Sequence, residues 1–205
     1  MMRTSTYYRL TNLYKIYKGY VSTKGLMEEG LSNRQIAALT EEDYLEKVCH
    51  GCYWMKQCGY EKPDDYKCIE VCLSNPRAVI AMGSACYYQG GVSKEPAVLT
   101  VATERTDRSS MKMNFSIERH YFSNSNFQVG LRKVRTEFGS YNIYDMERSF
   151  CDMVRMNDRG ENDKLIVEIV NSMGIKERQY ERVKAYAQLL GMKKFKRMSR
   201  MEGIL

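Results

Sequence analysis

The sequence of 205 residues predicts an α+β protein built in two successive parts. Three observations lead to this prediction. Apolar residues recur at helical spacing in the first forty residues, and a pattern typical of a glycine-centred hairpin follows at residues 44–55. Strand patterns at residues 97–102 and 133–144 then precede amphipathic stripes that fill the C-terminal half. A small mixed sheet followed by helices is typical of an α+β domain.

The N-terminal segment predicts one amphipathic helix. Leu10, Leu13 and Tyr17 recur at the spacing that places side chains on one helical face. We expect this helix over residues 3–17, and we expect Gly19 to end it before a short extended stretch.

Two short helices follow and predict a helix-turn-helix. Thr23 is placed to cap a helix over residues 24–29, and Ser32 is placed to cap a second helix over residues 33–42. The two helices are joined by only three residues, in which Gly30 allows the tight turn that this motif requires.

The next segment completes the first predicted domain. Strand-like runs at residues 44–48 and 52–55 flank a turn at His50-Gly51, so they predict a β-hairpin. Three helices followed by a hairpin are typical of a winged helix-turn-helix, in which the hairpin is the wing. We assign this domain to residues 1–60.

A winged helix of this kind predicts specific contacts with DNA. The N-terminal end of the second helix of the motif enters the major groove, where arginine can bond guanine and asparagine or glutamine can bond adenine. The residues predicted to read bases are Ser32, Asn33, Arg34 and Gln35. The residues placed to contact phosphates or the minor groove are Lys24, Lys47 and His50.

The charge of this segment also allows a different interpretation. Residues 1–70 contain ten basic and ten acidic residues, and the acidic run 41–43 follows the second helix of the motif. A winged helix used only for contact with another protein would need no basic excess, so this alternative stays open.

The cysteines pose the question of a zinc site. Cys49 and Cys52 form a C-x-x-C pair with Cys58 nearby, and zinc sites usually combine two such close pairs. Cys68 and Cys72, however, are four residues apart among apolar neighbours, which is typical of the buried side of a helix. We therefore predict free thiols in a reducing compartment, and neither a metal nor another cofactor.

Residues 61–205 predict the second domain, with a helical linker over about residues 61–75. The apolar run 97–102 predicts a central strand, and the alternating residues 133–144 predict a hairpin that turns at Gly139. Helices should occupy the remainder of this domain.

The net charge of +7 is concentrated at the C-terminus, because residues 171–205 contain nine Lys and Arg against three Glu. Such a segment indicates a polyanionic or acidic partner, or else a solvated helix face. No run approaches the roughly 18 apolar residues that a membrane-spanning helix needs, and the N-terminus lacks the apolar core of a signal peptide. We therefore expect a cytoplasmic protein.

Three quoted segments together resemble one known family. FGSYNIYDMERSFCDMVR (138–155) is similar to the Phe-Gly…Tyr-Asp-x-Glu-Arg-Thr-x-Cys-Asp-Leu signature of the AbiEi antitoxins of bacterial type IV toxin–antitoxin (abortive infection) systems. NPRAVIAMGSACYYQGGVSKEP (75–96) resembles that family's Pro-x-Ala-x-x-Ser segment, and residues 19–55 resemble the winged helix that precedes it in many members.

The resemblance implies a DNA-binding antitoxin and transcriptional autorepressor that has no enzymatic activity. Its partners would be the repeats of its own promoter and a nucleotidyltransferase-like toxin, which it would counter without a stable complex. Antitoxin activity or further DNA contact is expected to involve Arg148 and the basic C-terminal residues Lys193, Lys194, Lys196, Arg197 and Arg200.

The signature segment also has a structural interpretation. Arg148 and Asp152 are four residues apart, so we expect them to pair on the surface of a helix that Asp145 caps. A remaining alternative function is a metal-dependent enzyme acting on nucleic acid, although the chain shows no cluster of carboxylates with a lysine at motif spacing.

Overall fold

The computed structural model describes residues 4–56, 61–157, 160, 162–173 and 177–192. Within these residues the fold is α+β, as the sequence predicts. The helices are α1 (Thr4–Tyr17), α2 (Thr23–Glu28), α3 (Asn33–Glu41), α4 (Tyr66–Ser74), α5 (Met82–Tyr88), α6 (Met146–Met156), α7 (Asp163–Met173) and α8 (Glu177–Leu189). The strands are β1 (Tyr20–Ser22), β2 (Leu45–Cys49), β3 (Cys52–Met55), β4 (Val79–Ile80), β5 (Leu99–Glu104), β6 (Ile117–Phe122), β7 (Leu131–Thr136) and β8 (Gly139–Tyr144).

The chain divides into two compact units, and each unit contains separate segments of sequence. The first unit consists of Met1–Pro76, Ser110–Phe115 and Arg135–Tyr141. The second unit consists of Arg77–Ser109, Ser116–Val134 and Asn142–Leu205. None of the described helices is both long enough and apolar enough to cross a membrane.

The first unit begins with three helices and a three-stranded sheet of order β1-β3-β2. The antiparallel register pairs Tyr20 with Trp54 and Cys49 with Cys52, which confirms the predicted hairpin. Gly19 has a φ of +120°, and a side chain at this position would overlap the Trp54 ring. This order of helices and strands is compatible with the predicted winged helix.

Apolar side chains from all three helices and the sheet form the core of this unit. Each fully buried aliphatic side chain contributes about 1.5–3 kcal/mol relative to an exposed one. The buried residues are Leu10, Leu13, Val21, Leu26, Leu31, Ile36, Leu39, Leu45 and Met55. Ser32 caps α3 as predicted, but the cap of α2 is Ser22 and not Thr23. The helix begins one residue early because Ser22 keeps an extended backbone while its Oγ accepts a hydrogen bond from Gly25 N at 3.0 Å.

The first unit extends beyond residue 60, where the sequence analysis places the limit between the domains. Helix α4 lies in the predicted linker at 61–75, yet it buries Ile69 and Val71 completely. Tyr20 of β1 donates a hydrogen bond to Oε1 of Glu70 on this helix at 3.0 Å. Helix α4 is therefore part of the core of the first unit.

Residues 135–141, at the turn between β7 and β8, also belong to the first unit. The Phe138 ring lies 5.9 Å from the Trp54 ring, and Lys18 Nζ lies 3.1 Å from Glu137 Oε1. A side chain at Gly139 would meet Ile69 at 3.2 Å, so this turn packs closely within the unit.

The five-stranded sheet has the order β6-β5-β4-β8-β7. Strand β5 pairs antiparallel with β4 and parallel with β6, while β4 pairs parallel with β8, so the sheet is mixed. The predicted strand at 97–102 is observed two residues later, at Leu99–Glu104. Strand β6 is not predicted from the sequence, because this edge strand, IERHYF, is mostly polar and partly exposed.

Helices α5, α6, α7 and α8 supply much of the core of the second unit. Helix α6 contributes Phe150, Cys151 and Met153, and α8 contributes Val183 and Ala187. The helical C-terminal half that the sequence predicts is confirmed over the residues that the structure describes.

Candidate nucleic-acid interface

Two of the four predicted base-reading residues form the N-terminal cap of α3. Ser32 Oγ accepts a hydrogen bond from Gln35 N at 3.3 Å, and Gln35 Oε1 accepts one from Ser32 N at 2.9 Å. This reciprocal capping box satisfies backbone N–H groups that the helix itself leaves unpaired. Ser32 and Gln35 therefore have a structural role, whether or not they also contact DNA.

The remaining two residues lie on the exposed face of α3. Its buried face carries Ile36 and Leu39, which pack into the core of the first unit. The exposed side chains are Asn33, Arg34, Ala37, Ala38 and Glu41. The two alanines are short, so they leave room for a base edge to approach the helix backbone beside Asn33 and Arg34.

Acidic residues lie at the opposite end of this helix. Glu41, Glu42 and Asp43 are exposed and follow one another at the C-terminus of α3. Lys56 Nζ lies 2.7 Å from a carboxylate oxygen of Asp43, so part of this negative charge is neutralised. The positively polarised N-terminus of α3 and Arg34 are at the end away from these acids.

The wing carries two of the predicted backbone contacts. Lys47 on β2 and His50 in the turn are both exposed. Gly51 adopts a φ of +74°, which favours glycine, and its carbonyl accepts a hydrogen bond from Thr23 N at 2.9 Å. This bond holds the start of α2, including the exposed Lys24, beside the wing turn.

Cys49 and Cys52 lie opposite each other at the base of the wing turn. They are 8% and 9% exposed. A hydrogen bond from the Cys52 thiol lowers the pKa of Cys49, whereas the same bond and burial raise the pKa of Cys52. Among the residues that the structure describes, no three His, Cys, Asp or Glu side chains are grouped as metal ligands, and Cys58 lies outside those residues.

A buried carboxylate lies close to the wing. Glu70 Oε1 contacts Lys62 Nζ at 2.7 Å in addition to the Tyr20 hydroxyl, and Lys62 also contacts Glu46 Oε1 at 2.8 Å. Glu70 Oε2 is buried and has no hydrogen-bond partner among the described residues. Burial raises the pKa of Glu70, and the negative charge of Glu70 acts on both Cys49 and Cys52.

The second unit holds Arg148, which the resemblance implies for antitoxin activity. Arg148 Nε donates to Asp152 Oδ2 at 2.7 Å, as the spacing predicts, but the two side chains are 1% and 0% exposed. The prediction of a surface pair is therefore wrong, and Arg148 is not part of an accessible basic surface. Its Nη1 donates to the carbonyls of Asn126 and Val129 at 2.8 and 2.7 Å, and these contacts hold the guanidinium inside the unit.

Asp145 connects α6 to α8. Its Oδ1 accepts a hydrogen bond from Arg148 N at 2.9 Å, which confirms the predicted cap of α6. Its Oδ2 accepts from Arg182 Nη2 at 2.8 Å and from the Tyr186 hydroxyl at 2.9 Å. Sequence reasoning missed Arg182 and Tyr186, since they lie more than thirty residues away with only their i,i+4 spacing as a signal.

The predicted basic C-terminal site lies beyond the described part of the chain. Its members are Lys193, Lys194, Lys196, Arg197 and Arg200. The role of these residues therefore remains a prediction from the sequence.

Comparisons with known proteins bear on the fold. No protein-family model and no curated protein matches the sequence. The chain is similar to the crystal structure of the RV2827C protein from Mycobacterium tuberculosis, with a TM-score of 0.56 and 11% sequence identity. The similarity covers 93% of this chain and 78% of that chain. At this level of identity the likeness concerns the fold alone.

Proposed function

We propose that the protein is a DNA-binding antitoxin that represses transcription of its own operon. The observation that carries the DNA-binding part is the exposed N-terminal face of α3, which presents Asn33 and Arg34 to solvent. The antitoxin part rests on the resemblance to the AbiEi family. The protein would work in the cytoplasm, without catalysis, against a nucleotidyltransferase-like toxin.

Recognition of bases would come mainly from Arg34 and Asn33. Arginine can make two hydrogen bonds to guanine, and asparagine can make two to adenine, each contributing about 1–3 kcal/mol of discrimination. Ser32 and Gln35 hold the N-terminus of α3 in the conformation that presents these side chains. Any base contact that they make would use atoms outside the capping box.

Backbone binding would come from Lys24, Lys47 and His50. Lys24 is only weakly paired, since its Nζ lies 3.6 Å from Glu28 and its side chain is 85% exposed. Three residues provide few contacts with the phosphate backbone. We therefore propose that two copies of the protein bind adjacent repeats of the promoter. Binding of two copies would multiply the number of phosphate contacts.

A gel-shift assay on the upstream region of the protein's own operon tests the DNA-binding proposal. We expect a shift with the wild type at low salt, and an affinity that falls steeply between about 50 and 200 mM salt. Arg34→Ala should weaken specific binding, whereas Lys15→Ala, on the exposed side of α1, is the matched control. Absence of a wild-type shift at low salt would refute the proposal.

The antitoxin part needs a separate assay. Co-expression with a nucleotidyltransferase-like toxin encoded next to the protein should restore growth of the host. Arg34→Ala should retain this rescue if DNA binding and antitoxin activity reside in different units.

The second candidate function is a protein-interaction module that does not bind DNA. The balanced charge of the first seventy residues and the acidic end of α3 favour this candidate. If the protein is a DNA-binding repressor, charge reversal at both Arg34 and Lys47 should abolish repression of the operon. Full retention of biological activity by this double variant would favour the protein-interaction module.

A further inference from the structure

We propose that Cys49 and Cys52 are a redox modification site, at which a peroxide converts the two thiols into a reversible disulfide across the base of the wing. The two residues are directly opposite in the antiparallel pair of β2 and β3. Only His50 and Gly51 separate them in sequence.

The backbone geometry suits such a bond. Opposite Cα atoms of an antiparallel pair lie about 4.5–5.5 Å apart, within the range of about 4.4–6.8 Å that disulfides adopt. Opposite Cβ atoms in a sheet are about 4.5–5.5 Å apart, and a disulfide draws them to about 3.5–4.5 Å. The bond would therefore be somewhat strained, and strained disulfides are more easily reduced. The register shift between Lys47 and Cys49 provides an irregular backbone that can accommodate this movement.

The chemical state of the thiols supports the proposal. A hydrogen bond from Cys52 lowers the pKa of Cys49, which favours Cys49 over Cys52 as the attacking nucleophile. Cys52 keeps its proton and is the resolving thiol. Two other described cysteines differ from this pair: burial raises the pKa of both Cys86 and Cys151 to about 12, so they should react slowly.

The reaction balances in two steps. The Cys49 thiolate attacks one peroxide oxygen, the O–O bond breaks, and the departing hydroxide takes up a proton to become water, leaving a sulfenic acid on Cys49. The Cys52 sulfur then attacks the Cys49 sulfur, the S–S bond forms, and the S–O bond breaks. The proton of Cys52 joins the departing hydroxide as a second water. Two thiols thus lose two electrons, which the peroxide gains.

Glu70 influences both thiols electrostatically. Its buried Oε2 has no hydrogen-bond partner among the described residues, and its charge acts on both thiols. This charge raises the pKa of both thiols, so it holds back the loss of their protons. Glu70 therefore acts on the reaction only through its charge, whereas Cys49 and Cys52 react.

The disulfide would act on the wing turn. It would close a ring around His50 and Gly51 and change the position of the Gly51 carbonyl, which Thr23 N contacts. A change in DNA affinity would follow from this movement only if the proposed function holds. Formation of the disulfide does not depend on the proposed function, so an experiment can refute one proposal without refuting the other.

Peptide mapping of the full-length protein tests the chemistry directly. Trypsin cleavage after Lys47 and Lys56 releases residues 48–56, which contain Cys49 and Cys52 and no other cysteine. After limited hydrogen peroxide and alkylation of free thiols, we expect this peptide to be unalkylated and lighter by two hydrogen atoms. Dithiothreitol should restore alkylation. The peptides with Cys86 and Cys151 serve as internal controls and should remain alkylated.

Variants identify the roles of the three residues. Cys52→Ser should accumulate a Cys49 sulfenic acid that dimedone traps, and Cys49→Ser should give no dimedone adduct at Cys52 under the same dose. Glu70→Gln should speed formation of the Cys49 sulfenic acid, because the negative charge of Glu70 raises the pKa of both thiols. Two results would overturn the proposal: the 48–56 peptide stays reduced while Cys86 or Cys151 is oxidised, or Cys49 pairs with a cysteine other than Cys52.

Discussion

Nε of Arg148 lies 2.7 Å from Oδ2 of Asp152, and both side chains are almost completely removed from solvent. The same guanidinium lies 4.4 Å from the centre of the Tyr144 ring and donates to two backbone carbonyls. The signature segment of the chain therefore forms a buried ion pair that fixes α6 within the second unit.

Arg148→Ala should lower the free energy of unfolding by about 3–5 kcal/mol, because it leaves Asp152 as a buried charge with one fewer partner. Urea denaturation of the full-length protein measures this loss. The matched control is Arg155→Ala: Arg155 also forms an ion pair with Asp152, at 2.9 Å, but its side chain is 34% exposed. Equal losses in the two variants would contradict the importance of the buried pair.

Ser32→Ala should lower the free energy of unfolding by about 0.5–2 kcal/mol through loss of the capping box. Ser32→Asn is the informative comparison, because asparagine caps a helix about as well as serine and should restore most of the stability. If DNA affinity falls in the less stable Ser32→Ala variant and is kept in the stable Ser32→Asn variant, Ser32 acts as a cap. A loss of affinity in the stable asparagine variant would instead indicate direct contact with DNA.

Arg34→Ala and Lys47→Ala should affect DNA binding in different ways. Arg34→Ala should reduce affinity by about 1–3 kcal/mol and relax the preference at one base pair. Lys47→Ala should weaken binding to all sequences alike and reduce the slope of log affinity against log salt by about one. Binding to a set of operator variants at several salt concentrations separates the two effects, and an identical response of both variants would disagree with the proposed interface.

Glu70→Gln should change how stability depends on pH. Burial raises the pKa of Glu70, so the folded state binds its proton more tightly than the unfolded state does. The stability gained from this proton is fully present below the unfolded pKa of about 4.3 and is lost as pH rises through the raised pKa of the folded state. The difference in unfolding free energy between wild type and Glu70→Gln should therefore vary across this window. If the difference in unfolding free energy between the two proteins stays constant across this pH window, the pKa of Glu70 is not raised in the folded state.

The elements of the first unit could be predicted because their signals are local. Ser32 caps α3 as its sequence position predicts, and Gly51 forms the turn of the wing with a φ of +74°. Such positions depend on a few neighbouring residues, so a single sequence contains what is needed.

The extent of the units and the environment of Arg148 could not be predicted in this way. An arginine and an aspartate four residues apart look the same on an exposed and on a buried helix. The carbonyls of Asn126 and Val129 hold Arg148 inside the unit, and they lie 22 and 19 residues away. The same holds for the candidate interface. The sequence indicated all four residues at the start of α3 as base contacts, but it did not show that Ser32 and Gln35 form hydrogen bonds with each other.

The late position of residues 135–141 in the sequence has a consequence for synthesis of the protein. At about 5–20 residues per second, these residues leave the ribosome roughly 3 to 13 seconds after Pro76. Until then the Trp54 ring lacks its neighbour Phe138, and Lys18 lacks Glu137. We therefore expect the nascent winged helix to acquire its final packing only when much of the second unit has already been synthesised.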